Sequence, residues 1–334
     1  MFKSYRPVQD VTIAVVLVPT VAACQRGPSH VRTSGLSCPE RNSVVCAHGF
    51  LSQPSANQSV GESVMSDTPA TTKLLVFGDD SSVSADLAWL WINCHEWPNW
   101  RLEVVTAERP QTFRASEERA ALQPWEPTHP RRPFTESRIT EISSLTADID
   151  PRLALSRAAD LLVIGRRGKG LARFLHLGSS AEWLMAHPPA PMVIARRGRP
   201  TRTVVVCADG SSHAAAATAT LAEMAWIGGV EVTIVAVDDG AIDAERAYSE
   251  AADLLATSGA RVVRRDTQGS PTHELLAIVE EIEPDLVVLG TRGLTGSKRM
   301  RVGSTASTIA HSVECSILLA CDDEGAPADS VIST

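Results

Sequence analysis

Residues 290–305 read Gly-Thr-Arg-Gly-Leu-Thr-Gly-Ser-Lys-Arg-Met-Arg-Val-Gly-Ser-Thr, and residues 165–180 read Gly-Arg-Arg-Gly-Lys-Gly-Leu-Ala-Arg-Phe-Leu-His-Leu-Gly-Ser-Ser. Both runs share the spacing Gly, two residues, Gly, nine residues, Gly, Ser. Each follows a short apolar segment typical of a buried parallel strand, and each leads into a segment with helical character. Because one pattern occurs twice in the same context, the sequence predicts a duplicated α/β domain.

A glycine-rich link between a strand end and a helix start is suited to holding phosphate. Glycine lets the backbone bend and approach a ligand closely. The free N–H groups at a helix N-terminus, together with the positive end of the helix dipole, favour an anion. The hydroxyl groups of Ser304 and Thr305 add two further donors. The pattern is neither the Walker loop, which ends in Gly-Lys-Ser/Thr, nor the Rossmann Gly-x-Gly-x-x-Gly fingerprint.

Apolar strand segments alternate with helical segments through both halves, which predicts parallel sheets covered on both faces. Each half opens with a strand that ends in an acidic, hydroxyl-rich turn, at residues 79–82 and 209–212. The first half departs from this plan at residues 108–137, where five prolines break the expected second helix. This segment is interpreted as a loop, with a lid or a partner surface as alternatives.

Composition and net charge indicate a globular protein and argue against some classes of function. The 334 residues suffice for two domains, and 44% hydrophobic with 21% charged residues is typical of globular proteins. A net charge of −8 argues against a general nucleic-acid binder. The seven cysteines have no metal-ligand spacing, and their odd number argues against a closed disulfide framework. Cys207, Cys315 and Cys321 lie in or beside apolar strand segments, so they are interpreted as buried, reduced thiols.

The domain prediction places two domains between tails. Residues 25–64 are polar and rich in Ser, Pro and Gly, so the N-terminal tail is predicted to be disordered. Two alternatives stay open: translation from Met65, or export as a lipoprotein through Cys24, which follows an apolar segment too short to span a membrane. The predicted segments are tail 1–70, first domain 71–197, linker 198–202, second domain 203–322 and tail 323–334.

The two halves resemble the universal stress protein family in its tandem form. The residues that carry this resemblance are the aspartate after the first strand of each half, Asp79 and Asp209, and the two glycine patterns. The resemblance covers residues 72–197 and 202–322. It implies two tandem, doubly wound, open parallel five-stranded sheets in the order 3-2-1-4-5, like those of adenine-nucleotide alpha hydrolases, with ligand at the carboxyl ends of the strands.

In the nucleotide-binding branch of this family the glycine loop holds ATP, so the resemblance implies ATP, together with Mg²⁺, as the ligand. Carried over by position, the second-half binding residues are Asp209, Val237, Gly290, Arg292, Gly293, Gly303, Ser304 and Thr305. The matching first-half residues are Asp79, Ala107, Gly165, Arg167, Gly168, Gly178, Ser179 and Ser180. The second half is expected to bind more tightly, because the first half carries the proline-rich segment and has Asp80 in place of a glycine.

The function implied by the resemblance is a cytoplasmic, nucleotide-responsive binding module that acts in the stress response through an unknown protein partner. Nothing in the sequence names a catalytic base or a metal site. Weak ATP hydrolysis or autophosphorylation is therefore the enzymatic alternative, and an interaction protein with a nucleotide-free first domain is another. No nucleic-acid or membrane partner is expected. Since family members commonly dimerise through their last strands, residues 191–195 and 315–320 are expected to pair within the chain as a pseudo-dimer, with further homodimerisation left open.

Overall fold

In the first half, a computed structural model of the chain shows short strands and helices alternating along the sequence. They are β1 (Val15–Val16), β2 (Lys73–Gly78), α1 (Val83–Asn93), β3 (Trp97–Ala107), β4 (Ile139–Ala147), α2 (Pro151–Leu155), β5 (Leu161–Gly165), α3 (Ser179–Ala186) and β6 (Met192–Ala195). The structure describes residues 15–16, 72–107, 138–147, 149–168, 177–293 and 302–322. The predicted loop at 108–137 and nearly all of both predicted tails lie outside these residues.

The second half repeats the alternation with longer helices. Its elements are β7 (Thr203–Cys207), α4 (Ser212–Ala222), a 3₁₀ turn (Ala225–Ile227), β8 (Glu231–Asp238), α5 (Ala244–Leu255), β9 (Arg261–Gln268), α6 (Pro271–Ile282), β10 (Leu286–Gly290), α7 (Ser304–Ser312) and β11 (Ser316–Ala320).

The described strands form one sheet in the order β1-β4-β3-β2-β5-β6-β11-β10-β7-β8-β9. Within each half the five main strands are parallel and follow the predicted order 3-2-1-4-5. Strand β1 adds to the outer edge of β4 in antiparallel fashion. The fold prediction is therefore confirmed for each half, and the two predicted sheets are joined into one.

The join between the halves is the antiparallel pair β6–β11. Its register places Ile194 opposite Ile317, and Val193 opposite Leu318. These residues are fully buried, and pairing them removes two apolar edges that would otherwise be open to other chains. The predicted pairing of the last strands within the chain is confirmed.

Both faces of the sheet are covered, as the continuous apolar strands require. One buried core lies under α1, α4 and α5, and the other lies under α2, α3, α6 and α7. Each core contains residues from both halves. The two domains therefore share their hydrophobic packing instead of meeting at a separate interface.

The linker between the halves is anchored at Asp285, immediately before β10. The carboxylate of Asp285 accepts a hydrogen bond from the backbone N–H of Arg202 at 2.9 Å, and Nη2 of Arg199 lies 2.6 Å away. Because Asp285 is buried and Arg199 is more than half exposed, the backbone bond is the more important contact. The linker thus starts β7 at a defined point.

An aromatic cluster connects the halves on the α1 face. Trp91 and Trp97 of the first half pack against Trp226 of the second, with ring centroids 5.9 and 6.5 Å from that of Trp226. The ring of His95 lies 4.3 Å from Trp226. Its Nε2 accepts the backbone N–H of Thr201 at 3.0 Å, so Nδ1 carries the proton and donates to the Trp91 carbonyl at 2.7 Å. Both ring nitrogens of neutral His95 therefore have hydrogen-bond partners.

We expect His95 to make folding sensitive to acid. Burial lowers the pKa of His95 from 6.5 to about 4, so the unfolded chain binds the proton more readily than the folded chain. The contribution of neutral His95 to the free energy of unfolding is therefore fully present above about pH 6.5. The free energy of unfolding falls by about 3 kcal/mol in total as the pH drops towards 4. Denaturant unfolding of the protein and of His95→Gln, measured from pH 4 to 8, checks this.

The matched control for that experiment is His273→Gln, since His273 lies on the surface. It should keep the pH dependence of the unmodified chain, whereas His95→Gln should flatten it. Equal slopes for all three proteins between pH 4 and 6.5 would contradict the assignment.

Candidate functional site

A cavity of about 380 Å³ opens at the carboxyl edge of the second half. Its walls come from the ends of β7, β8 and β10 and from the first turns of α6 and α7. This is the edge where the strand order reverses, as the rule for open α/β sheets predicts. The cavity contains all eight second-half residues implied by the resemblance: Asp209, Val237, Gly290, Arg292, Gly293, Gly303, Ser304 and Thr305.

The turn after β7 is held by three hydrogen bonds that leave part of Asp209 facing the glycine loop. Oδ1 of Asp209 accepts the backbone N–H of Ser211 at 3.0 Å. The hydroxyl oxygen of Ser211 caps α4 through the Ala214 N–H and donates to the Arg292 carbonyl. A Cβ atom on Gly293 would lie 2.5 Å from Oδ2 of Asp209. Glycine at 293 therefore lets the carboxylate approach the loop, and Ser211, not Asp209, is the helix cap.

Gly290 has a packing role as well as a place in the cavity wall. A Cβ atom there would lie 2.6 Å from the backbone nitrogen of Ala214, which has no room to move without shifting α4. Gly165 has the same role in the first half, where a Cβ atom would lie 2.5 Å from the carbonyl of Ser84. These two glycines are required by the contact between strand and helix whether or not a ligand binds.

Gly303 is different, because nothing in the described protein requires glycine there. Its φ of −70° and ψ of 154° suit any residue, and a Cβ atom would come no closer than 3.6 Å to another described residue. Gly303 is also the N-cap of α7 and provides no side-chain cap, whereas α1 and α4 are capped by Ser82 and Ser211. The first-turn N–H groups of α7 are thus left without a side-chain cap beside the cavity, where they can bind an anion.

The rest of the cavity divides into an apolar and a polar wall. The polar wall includes Asp209, Asp239 and Arg292. His213 and Thr291 do not line the cavity but are next to lining residues in the chain; Nδ1 of the buried His213 accepts a hydrogen bond from the Thr291 hydroxyl at 3.2 Å, and burial lowers the pKa of this histidine. Nε of Arg292 is buried with no hydrogen-bond partner among the described residues. The apolar wall includes Val235, Val237, Ile242, Pro271, Leu275 and Leu289.

Sequence reasoning missed several of the lining residues. Asp239 lies just beyond the end of β8, two residues after Val237 and four after Val235, so continuing the alternation of side chains past the strand end could have identified it. Leu275 lies one turn beyond Pro271, on the same face of α6. Cys207 also lines the cavity, and burial raises its pKa to about 12, so it is a neutral thiol. The four described cysteines are all free.

The first half contains the same turn, but it lies one residue later in the chain than the matching of the two halves by sequence predicted. The backbone N–H of Ser82 donates to Oδ1 of Asp80 at 3.1 Å, as that of Ser211 does to Asp209. Ser82 caps its helix and donates to the Arg167 carbonyl at 2.9 Å. The counterpart of Asp209 is therefore Asp80, and the prediction that Asp79 holds this position is wrong.

This shift also changes which residue replaces the glycine of the turn. Gly210 has a φ of +73°, and Ser81 takes up the same left-handed conformation with a φ of +57°. Such a conformation is strained for a residue other than glycine. A Cβ atom on Gly168 would lie 2.5 Å from Oδ2 of Asp80, which repeats the contact between Gly293 and Asp209.

The remaining first-half residues occupy the expected positions. Gly178 is the N-cap of α3 without a side-chain cap, so Ser179 and Ser180 form its first turn, and Ala107 ends β3. The N–H of Gly178 donates to the Arg166 carbonyl at 2.9 Å, as that of Gly303 does to the Thr291 carbonyl. The wall opposite is shorter, because α2 has 5 residues where α6 has 12. The loop at 169–176 lies outside the described residues.

Two kinds of feature are absent from the described residues. No group of three or more His, Cys, Asp or Glu side chains with a metal-binding arrangement occurs among them. None of the helices in the same part of the chain is long and apolar enough to cross a membrane.

Comparison with known proteins agrees with this architecture. The sequence model of the universal stress protein family matches residues 92–196 and 200–320, more than half of the chain. A universal stress protein of Methanocaldococcus jannaschii is 31% identical over 61 residues, which cover 18% of this chain and 36% of that protein. Another from Thermus aquaticus is 28% identical over 135 residues, covering 35% of this chain and 97% of that protein.

A solved structure shows the same fold. The universal stress protein from Archaeoglobus fulgidus matches with a TM-score of 0.54 at 17% identity, covering 75% of this chain and 99% of that chain. The family match falls in two consecutive segments, one within each half of the sheet; the first begins near the end of α1 and the second spans β7 to β11. The chain therefore belongs to the universal stress protein family and contains two tandem domains of that family.

Proposed function

We propose that the second half binds ATP together with Mg²⁺, and that the protein is a nucleotide-responsive binding module in the stress response. The observation that carries this proposal is the position of the uncapped first turn of α7 beside the cavity. No packing or torsional reason among the described residues requires glycine at 303. An anion bound at the helix N-terminus would be a reason for glycine at this position.

The two walls of the cavity suit the two ends of a nucleotide. Val235, Val237 and Leu275 offer an apolar surface for the flat face of the base, and a volume of about 380 Å³ is within the range of small-molecule sites. The phosphates would lie against the N–H groups of Ser304 and Thr305 and the guanidinium of Arg292, since the N–H of Gly303 already donates to the Thr291 carbonyl. Each such bond to a charged group is worth about 1.5–3 kcal/mol.

The acidic residues fit a cation that accompanies the phosphates. Asp209 and Asp239 both line the cavity, and two carboxylates beside a triphosphate would repel it. Mg²⁺ is commonly held by one or two carboxylates plus substrate phosphates. Oδ2 of Asp209 lies close to Gly293 of the glycine loop, so Asp209 would hold the ion.

Binding, not turnover, is the proposed activity. His213 makes hydrogen bonds to Thr291 and to the backbone N–H of Asp322 through Nδ1, and burial favours its neutral form. Cys207 is a neutral thiol at physiological pH. The four described cysteines are free thiols, which also supports a cytoplasmic location, where disulfides are rare.

Isothermal titration of the full chain with ATP and Mg²⁺ tests the proposal. We expect one tight site, and we expect adenosine to bind at least about a hundredfold more weakly because it lacks every phosphate contact. Phosphate release should stay at the level of ATP without protein. Failure to bind any adenine nucleotide at millimolar concentration would refute the proposed function, and rapid phosphate release would replace it with an ATPase.

A further inference from the structure

A pair of hydroxyl groups joins the first turns of α6 and α7 beside the cavity. Oγ1 of Thr272 lies 3.0 Å from Oγ1 of Thr305, and either hydroxyl can be the donor. Both residues are half-buried. Thr305 lines the cavity and Thr272 does not. Thr272 is therefore placed to act on a bound ligand through Thr305.

The contact holds the Thr305 side chain in one orientation. Within a helix, threonine divides between two χ1 rotamers, because its hydroxyl can bond to a carbonyl one turn earlier. Thr305 is the second residue of α7, which begins at Ser304, so no earlier turn of the helix provides that carbonyl. The hydroxyl of Thr272, which belongs to a different helix, is the partner that fixes Thr305 instead.

We propose that Thr272 is a positioning residue for phosphate: it donates its hydroxyl hydrogen to Thr305 and leaves the Thr305 hydroxyl hydrogen for a phosphate oxygen. The inference rests on the proposed function of the second half. A hydroxyl has one hydrogen to donate and can accept at the same time, so Thr305 can serve both partners. Hydrogen bonds in such a chain polarise one another, and the bond to phosphate is strengthened.

The corresponding position in the first half holds no hydroxyl. Pro151 and Pro271 are the first residues of α2 and α6, so Arg152 takes the place of Thr272. The guanidinium of Arg152 lies 3.9 Å from the carboxylate of Asp150, the N-cap residue of α2. The hydroxyl pair thus belongs to the half that contains the cavity.

Titration of Thr272→Val with ATP and Mg²⁺ tests the inference. Valine has the shape of threonine without the hydroxyl, so the affinity should fall about three- to tenfold, as expected for one hydrogen bond between uncharged groups. Thr272→Ser keeps the hydroxyl and should bind within about twofold of the unmodified chain. Thermal unfolding without ligand checks that each variant is folded, and Thr272→Ala replaces Thr272→Val if the latter is not. Unchanged affinity without the hydroxyl, or equal losses in the valine and serine variants, would overturn the inference.

A double-variant cycle separates positioning from a structural role of Thr272. Thr305→Val removes the hydroxyl that would meet phosphate and should weaken ATP binding at least about tenfold. In that background, adding Thr272→Val should change the affinity less than about twofold, because no hydroxyl is left to position. A second loss as large as in the unmodified chain would show that Thr272 supports α6 or touches the ligand itself, and would overturn the inference. An unmodified chain that binds no ATP would instead refute the proposed function, so the two failures are distinguishable.

Discussion

Gly303→Val is expected to weaken ATP binding at least about a hundredfold while the protein stays folded. The valine side chain would stand in the open space before α7, where the nearest described atoms lie 3.6 Å from a Cβ, and would keep phosphate from the first-turn N–H groups. Losing two bonds to a charged group, at about 1.5–3 kcal/mol each, accounts for that loss of affinity. Calorimetric titration and a thermal unfolding curve measure the two effects.

Two glycines provide the controls for this experiment. Gly228 has an ordinary φ of −57°, a Cβ atom there would come no closer than 3.7 Å to another described residue, and it precedes β8 at the opposite edge of the sheet. Gly228→Val should therefore change neither binding nor melting temperature. Gly290→Val should lower the melting temperature, because its side chain would collide with the backbone of α4. If Gly303→Val binds ATP like the unmodified protein, the anion site at α7 is wrong.

Trp91→Ala is expected to lower the free energy of unfolding by about 3–5 kcal/mol, the usual loss for a large buried aromatic side chain. Trp91 is 1% exposed and packs against His95, Trp97 and Trp226. Its removal leaves a cavity between α1 and the 3₁₀ turn of the second half. Equilibrium unfolding in urea gives the free energy, and the separation of one transition into two would show that the halves had lost their coupling.

The matched control is Trp183→Ala. Trp183 is partly exposed and stacks on His187 at 4.4 Å, within the first half. Trp183→Ala should lower the free energy of unfolding by less than half as much as Trp91→Ala does, because less apolar surface returns to water. Unfolding of this variant should remain a single cooperative transition. Similar losses for the two variants would contradict the role of Trp91 in joining the halves.

Short sequence motifs and the alternation of apolar segments predicted those parts of the structure that are determined by residues close together in the chain. The strand order and the second-half site follow from the duplicated glycine pattern, the resemblance that it carries and the alternation of strands with helices. The error at Asp79 arose because the turn contains two aspartates and two serines in succession. Only the hydrogen bond from the Ser82 N–H to Asp80 shows which aspartate corresponds to Asp209.

Contacts between distant residues were beyond the reach of the sequence. The glycine pattern does not reveal that Gly290 is required by the approach of α4 and that Gly303 is not, since this depends on what lies opposite each residue. The packing of Trp91 on Trp226 joins residues far apart in the chain and follows no periodicity. Such packing is specified by three-dimensional fit.

The antiparallel seam of β6 and β11 has a consequence for how such a chain can diverge. In a two-fold symmetric dimer every interface residue must serve both sides of the axis. Here the residue after β6 is Arg196, whose N–H donates to Ser316 Oγ and whose guanidinium donates to the Ala310 carbonyl. The residue after β11 is Cys321, which has no guanidinium and cannot reproduce the second bond. Covalent fusion has thus released the two copies from symmetry, and mutations can silence one ligand site while the seam that holds both copies together is kept.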